Sequence, residues 1–332
     1  MLRILLALLA ATRLASAADL VPLNELGSGT YLNYPGGLYE NGSNTMPPDH
    51  LAAGLLHAQQ VMPRDRDGRP SPTGKIVMIS IGMSNTTQEF CAANNPAPCT
   101  SWSFVGQANA DPAVNHETLV LVNGAAGGKS ADFWDSPSDP DYNRIRDSDL
   151  APLGLTEAQV QVAWVKVANP QPTASLPSTN ADAFRLETQM GNIARALKTR
   201  YPNIQLAYFS SRIYAGYASS TLNPEPYAYE SALAVKWLVD AQVQQRRGGR
   251  VMDTRAADLN DNSVTPWIAW GPYLWRNSTF WSRADFEGDG THPSPSGEQK
   301  VGAMLLTFFK SEPTAQSWFL RASGSRRRAV RH

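Results

Sequence analysis

Five short segments of the chain are almost continuously apolar, and longer stretches of helical or irregular pattern separate them. These segments are residues 75–82, 118–125, 160–168, 204–211 and 267–272. A strand with apolar side chains on both faces is typical of a parallel sheet that helices cover on both sides. Residues 182–200 and 230–246 have helical spacing, and a shorter helix is expected within 47–61. The pattern therefore predicts an α/β fold with a mainly parallel central sheet.

Composition limits the kinds of partner. The 332 residues are 42% hydrophobic, which is enough for one large domain or two small ones, with a substantial core. The 29 basic and 29 acidic residues cancel, so nothing indicates a nucleic-acid partner. The one basic cluster lies in residues 323–332, which we expect to be a solvated tail.

The first seventeen residues have the plan of a secretory signal. Arg3 precedes an apolar stretch at 4–11, and small residues occupy 15–17, so cleavage is expected after Ala17. The apolar stretch is too short to span a bilayer, and Arg13 interrupts it. We therefore expect a secreted protein, extracellular or periplasmic, that does not insert into a membrane.

The two cysteines, Cys91 and Cys99, enclose a short polar loop rich in turn-forming residues. In an oxidising compartment such a pair favours a local disulfide, and the alternative is two free thiols. Two cysteines without nearby histidines make a poor zinc site. We expect neither a metal nor a cofactor.

The ends of the predicted strands carry the candidate chemistry, because ligands of open parallel sheets bind beyond the carboxyl ends of strands. The first strand ends at Gly82, and Ser84 follows two residues later. A serine needs an adjacent base to act as a nucleophile. Of the five histidines, His292 has a carboxylate three residues earlier, at Asp289, in a turn before an apolar helix. A carboxylate there can fix the imidazole tautomer, so we predict Ser84, His292 and Asp289 as catalytic residues.

Four blocks, GMSN, NGAAGG, VAN and DGTHPS, occur in the order and spacing of the motif blocks of SGNH/GDSL-type hydrolases, which this sequence resembles. The resemblance covers roughly residues 75–309 and implies a three-layer, flavodoxin-like α/β/α fold and ester hydrolysis. It implies Ser84 as nucleophile and His292 as base, oriented by Asp289. It also implies an oxyanion hole made by the backbone N–H groups of Ser84 and Gly128 and by the Asn169 amide, with Gly124 and Gly127 also eligible.

Two blocks depart from the common family pattern. Met83 stands where G-D-S sequences have aspartate, and the resulting G-x-S-N is similar to the block of sialate O-acetylesterases and related acetylxylan esterases. This resemblance implies a secreted serine esterase that removes O-acetyl or other short acyl groups from carbohydrates. The third block keeps Asn169 but lacks the usual glycine and aspartate. A non-catalytic glycan-binding protein and a lipase or lysophospholipase are the alternatives.

Four further residues near the strand ends are predicted to contact the substrate: Met83, Asn85, Arg212 and Tyr214. Arg212 could pair with an acidic group of the substrate or form a structural ion pair. Residues 18–74 are expected to form an extension with one helix that packs on the hydrolase domain, 75–312, and residues 313–332 to form a tail. We expect a monomer whose partner is a small-molecule or glycan ester.

Overall fold

The computed structural model describes residues 20–92 and 98–322, and its centre is a five-stranded sheet. The predicted signal segment and the basic end at 323–332 lie outside the described residues. The sheet strands are β3 (Ile76–Gly82), β4 (Leu119–Val122), β5 (Val160–Lys166), β6 (Leu206–Phe209) and β7 (Trp267–Trp270), and a separate two-stranded antiparallel sheet contains β1 (Thr30–Tyr31) and β2 (Tyr34–Pro35).

The strand order of the central sheet is β4-β3-β5-β6-β7, and every neighbouring pair is parallel. Counted within this sheet, the order is 2-1-3-4-5, which is the flavodoxin-like order. Every residue of β3 and β5 is buried, and this explains their continuous apolar character. The predicted fold class is confirmed, and all five predicted strands are present, shorter at their ends than the apolar segments.

Eight α-helices accompany the strands in the described part of the chain. They are α1 (Pro48–Ala58), α2 (Ser84–Phe90), α3 (Phe104–Ala110), α4 (Pro140–Arg144), α5 (Asp182–Arg200), α6 (Tyr227–Gly248), α7 (Pro295–Ser311) and α8 (Pro313–Phe319). Helices α5 and α6 pack on each other, and α1, α2, α3, α7 and α8 form a second packed group, so that helices flank the sheet.

Helix α5 has the bounds that its sequence predicts. Leu186, Met190, Ile193 and Leu197 recur at helical spacing and are all buried. Their common stripe lies against the core, while Lys198 and Arg200 occupy the last turn, where cations interact favourably with the helix dipole.

The amino-terminal segment is tied to the main domain through α1 and the strands beside it. His50 Nε2 lies 2.8 Å from the backbone oxygen of Ile268 in β7. The indole N–H of Trp270 donates to the backbone oxygen of Leu38 at 2.7 Å. These contacts join residues more than 200 positions apart, so the extension is part of the folded body.

The predicted tail begins too early. Residues 313–319 form α8, which packs on α1 and α7 and buries Trp318 and Phe319. Phe319 stacks on Phe104 with ring centroids 6.2 Å apart. The apolar residues of α8 fill the space beside the helix that follows His292, so the segment predicted as a tail begins with a helix that packs on the domain.

Cys91 follows α2 directly and is joined to Cys99 by a disulfide, so the predicted bridge is confirmed. Residues 93–97 inside this loop lie outside the described residues. In the described part of the chain, no helix is long and apolar enough to cross a membrane.

The end of β3 comes very close to the end of β5, and this contact requires glycine at position 82. A Cβ at Gly82 would lie 2.2 Å from the backbone oxygen of Lys166 and 2.4 Å from Thr86 Oγ1. Gly82 also has a φ of +156°. Thr86 donates its hydroxyl to the same Lys166 oxygen at 2.7 Å, so the first turn of α2 is held against β5. Glycine therefore lets α2 begin immediately after the strand.

We expect Gly82→Ala to lower the free energy of unfolding by about 3 kcal/mol, because the methyl group would overlap the backbone of a buried strand. Denaturant unfolding measures this. The control is Gly288→Ala, since a Cβ at Gly288 would meet no atom within 4 Å, and its effect should stay within about 0.5 kcal/mol. Equal effects of the two substitutions would contradict the assignment.

Candidate active site

Ser84 is the first residue of α2 and stands beyond the carboxyl end of β3. The N–H groups in the first turn of a helix have no partner inside the helix, so the backbone N–H of Ser84 is free of the α2 hydrogen-bond ladder. The first turn is closed by Thr87, whose N–H donates to the Met83 oxygen at 3.0 Å. The strand-to-helix transition thus presents the Ser84 hydroxyl at the edge of the sheet.

His292 and Asp289 meet Ser84 in a continuous hydrogen-bonded chain. Ser84 Oγ lies 2.8 Å from His292 Nε2, and His292 Nδ1 lies 2.5 Å from Asp289 Oδ2. The structure therefore brings together the three residues predicted as catalytic. Such an arrangement can move a proton from the hydroxyl to the imidazole while the carboxylate stabilises the charged ring.

The Asp289 carboxylate is kept ionised by the turn that carries it. Partial burial opposes the charged form, but the N–H groups of Thr291 and His292 donate to Oδ1 at 2.9 and 3.0 Å. These bonds, together with the His292 ring on the other oxygen, hold the pKa of Asp289 below its usual value.

The turn is anchored on two sides. Gly290 has a φ of +65°, and a Cβ there would lie 1.8 Å from the Tyr217 oxygen, so glycine is needed for the close approach. On the other side, the Asn85 side chain donates to the Thr291 oxygen at 2.9 Å. Because Asn85 is adjacent to Ser84, this bond fixes α2 relative to the histidine turn. Asn85 also lines the cavity, and its contact with a substrate stays a prediction.

The second sequence block, NGAAGG at residues 123–128, lies alongside the end of β3. The Ala126 N–H donates to the Gly82 oxygen at 3.1 Å, and Thr87 Oγ1 donates to the Ala125 oxygen at 3.0 Å. These bonds bring the glycine-rich segment next to Ser84. Gly128 has a φ of +75° and lines the same cavity as Ser84, whereas Gly127 does not line it.

Asn169 stands three residues beyond β5 and is buried. Its side-chain Nδ2 donates to Asp182 Oδ1 at 3.0 Å, which uses one of its two N–H bonds, while Oδ1 has no hydrogen-bond partner. Its backbone oxygen accepts from Asn223 Nδ2 at 3.0 Å. The amide is therefore held at the cavity wall with one N–H still available.

These groups surround a cavity of about 290 Å³ at the carboxyl edge of the sheet. It is lined by Met83, Ser84, Asn85, Gly128, Ser130, Asn169, Pro170, Arg212, Leu222, Asn223 and His292. Tyr214, which was predicted to contact the substrate, is not among them. Its ring packs instead against Tyr217 and Trp275, with centroids 5.2 and 5.8 Å away.

Arg212 reaches this cavity from the end of β6 and is almost completely buried, with 2% of its surface exposed. Its Nη1 lies 4.0 Å from Met83 Sδ, and its Nε and Nη2 have no hydrogen-bond partner. Among residues 20–92 and 98–322, no carboxylate forms an ion pair with it, so the structural ion pair is not found. Burial lowers the pKa of Arg212 from its ordinary value.

A buried ion pair joins α2 to the end of β5. Lys166, the last residue of β5, places Nζ 2.6 and 2.5 Å from the two carboxylate oxygens of Glu89 in α2. Both side chains are fully buried, and burial lowers the pKa of Lys166 to about 8. In the described chain, no group of three or more His, Cys, Asp or Glu side chains is arranged to hold a metal ion.

Sequence reasoning missed this pair and part of the cavity wall. Lys166 did carry a signal, because a lysine inside a continuous apolar strand must be paired or lie at the strand end. Asn223 and Ser130 carried no such sequence signal, because both lie in irregular segments and reach the cavity only through tertiary packing.

Neither a protein-family model nor a curated protein sequence matches this chain. Solved structures do match it. An extracellular lipase from Streptomyces rimosus has 12% identity and a TM-score of 0.32, over 70% of this chain and 98% of the lipase. A putative GDSL-like lipase from Parabacteroides merdae has 11% identity and a TM-score of 0.40, over 70% and 94%.

A mutant of an acetyl-xylooligosaccharide esterase from Geobacillus has 13% identity and a TM-score of 0.38, over 72% of this chain and 94% of the esterase. Because these sequence identities are low, the fold is assigned from the strand order of this chain. The chemistry is inferred from the geometry of its own site.

The Lys166–Glu89 pair generates a prediction about stability. We expect Lys166→Met and Glu89→Leu each to lower the free energy of unfolding by about 3–5 kcal/mol, because each leaves an uncompensated buried charge. The double variant should lose much less than the sum of the single losses. Chemical denaturation of all four proteins measures the coupling, and strictly additive losses would contradict a direct interaction.

Proposed function

We propose that this protein is a serine esterase that hydrolyses carboxylic esters through an acyl-enzyme. The observation that carries the proposal is the chain from Ser84 Oγ to His292 Nε2 to Asp289, which opens on a cavity at the carboxyl edge of the sheet. Nucleophile, base and orienting carboxylate lie within hydrogen-bond distance of one another, as this chemistry requires.

In the first half-reaction, His292 Nε2 takes the proton of Ser84 as Oγ attacks the ester carbonyl carbon. Asp289 holds Nδ1 and stabilises the resulting imidazolium. The tetrahedral intermediate then collapses, the bond to the alkoxy oxygen breaks, and His292 returns its proton to the departing alcohol. The acyl group remains on Ser84 Oγ.

The negative oxygen of the intermediate needs donors that are already in place. The backbone N–H of Ser84 at the start of α2, the N–H of Gly128 and the remaining N–H of Asn169 are suited to that role. Each such donor typically contributes about 3 kcal/mol of transition-state stabilisation. Asp182 orients the Asn169 amide by accepting its other N–H.

In the second half-reaction, water replaces the alcohol. His292 takes a proton from the water as it attacks the acyl carbon, and returns it to Ser84 as the acid departs. The products are one alcohol and one carboxylic acid, and the enzyme returns to its starting state.

The cavity supports a small acyl group. A volume of about 290 Å³ suits an acetyl or other short acyl group together with part of the alcohol, and asparagine side chains on its wall suit a hydroxyl-rich alcohol. Together with the G-x-S-N block, this supports O-acyl carbohydrates as substrates. We further propose that the protein is exported, and the Cys91–Cys99 disulfide supports an oxidising compartment.

Ser84→Ala should lower kcat/KM for 4-nitrophenyl acetate by more than about 1,000-fold, because the residual site has no nucleophile. The release of 4-nitrophenolate measures this, and Ser71→Ala, on a partly exposed serine in the connector before β3, is the matched control, expected at the native rate. Turnover that survives in Ser84→Ala would refute the nucleophile. Binding of acetylated glycans without any turnover by the native protein would favour a glycan-binding protein instead.

Asn169→Ala tests the oxyanion hole. We expect kcat to fall about 100- to 1,000-fold with little change in KM, because the lost donor acts mainly on the transition state. Asn143→Ala, on an exposed asparagine, is the control and should keep the native kcat. An unchanged kcat in Asn169→Ala would remove this residue from the oxyanion hole.

A further inference from the structure

The guanidinium of Arg212 has no counter-ion in the described chain, although it is almost fully buried. Within residues 20–92 and 98–322, its Nε and Nη2 make no hydrogen bond, and its only polar neighbour at hydrogen-bond range is the weak acceptor Met83 Sδ. An arginine remains charged in proteins, and burying such a charge without a partner is costly. This buried, unpaired charge lies at the wall of the cavity that Ser84 also lines.

Three carboxylates act on Arg212 from a distance, and each is engaged elsewhere. Glu89 receives Lys166, and Asp289 receives the His292 ring. Glu225 accepts the N–H groups of Ala215 and Tyr229 at 2.9 Å and the indole N–H of Trp275 at 2.7 Å. None of them is an ion-pair partner of Arg212, so the cation keeps free donors for a ligand.

Two free acceptors share the cavity with these donors. Asn169 Oδ1 and Asn223 Oδ1 are buried and have no hydrogen-bond partner, and both residues line the cavity wall. A ligand that satisfies all of these groups must present an anion to Arg212 and hydrogen-bond donors, such as hydroxyl groups, to the asparagines.

We propose that Arg212 is a specificity-determining residue that binds a carboxylate of the substrate, so that the preferred ester carries a negative charge. This inference rests on the proposed esterase function. Arginine suits the role because its planar fork binds a carboxylate through two parallel hydrogen bonds and is weakly hydrated. The free asparagine oxygens would receive hydroxyl groups of the same substrate.

The spacing of the site is compatible with one small molecule reaching both groups. Ser84 follows β3 and Arg212 follows β6, with β5 between them, so the two strand ends are roughly 10 Å apart. The Arg212 side chain reaches back to Met83, the neighbour of Ser84. A carboxylate a few bonds from the scissile ester can therefore meet the guanidinium while the carbonyl lies at Ser84.

Two matched substrate pairs distinguish where the charge sits. For a charge on the acyl group, the 4-nitrophenyl half-ester of glutaric acid is compared with 4-nitrophenyl pentanoate. For a charge on the alcohol, an O-acetylated methyl glucuronoside is compared with the same ester of methyl glucoside. We expect native protein to prefer the charged member of one pair by at least about tenfold in kcat/KM.

Arg212→Met should reduce that preference at least tenfold, and Arg212→Lys should retain part of it, because lysine keeps the charge but not the fork. Arg276→Met, on an exposed arginine, is the control and should leave the preference unchanged. A native protein that hydrolyses esters without preferring either charged member would overturn the inference while the esterase function stands.

Stability separates recognition from a structural role. Replacing an unpaired buried cation by methionine removes a costly charge, so Arg212→Met should melt no lower than the native protein. A clear fall in melting temperature, with equal losses on charged and neutral esters, would show that Arg212 is structural.

Calorimetry gives a readout that does not need turnover. The Ser84→Ala protein should bind the acetylated glucuronoside or free glutarate, and a second change, Arg212→Met, should weaken that binding at least tenfold. If native protein hydrolyses no ester but this binding is found, the esterase proposal fails and the carboxylate site stands. If neither carboxylate binds, the inference about Arg212 fails.

Discussion

The contact between the ends of β3 and β5 is the constraint on which the candidate site depends. Only glycine at position 82 allows α2 to start against the β5 backbone, and this start places Ser84 at the sheet edge. Lys166 then holds α2 twice, since its backbone oxygen accepts from Thr86 and its ammonium binds Glu89. One residue of β5 thus orients both ends of the short helix that begins with Ser84.

The sequence was informative about the sheet because its signals are local. Strands that are buried on both faces are mostly apolar along their length. The helical spacing of the apolar residues of α5 can be recognised within the nineteen residues of the helix itself. The order of the blocks then indicated which strand ends carry chemistry. Ser84, Asp289 and His292 could be selected because a serine that acts as a nucleophile requires a base and an orienting carboxylate, and few residues could supply them.

Other features depend on distant partners and could not be read in this way. Helix α2 is only seven residues long and mostly polar, so it has no helical apolar period to detect. An ion pair was a reasonable expectation for Arg212. The carboxylates around it, however, bind other groups, which come near them only when the chain folds. Tyr214 follows the same strand end, yet its ring packs into an aromatic cluster.

The hydrogen bond between Ser84 and His292 spans 208 positions of the chain. While the chain is being synthesised, Ser84 exists long before His292 does, and an isolated serine hydroxyl is a weak nucleophile. Helix α7 follows the histidine turn directly and packs on α2, the helix that begins with Ser84. An unfinished chain therefore contains Ser84 without the imidazole that lies beside it in the folded domain, so its hydroxyl has the low reactivity of an ordinary serine.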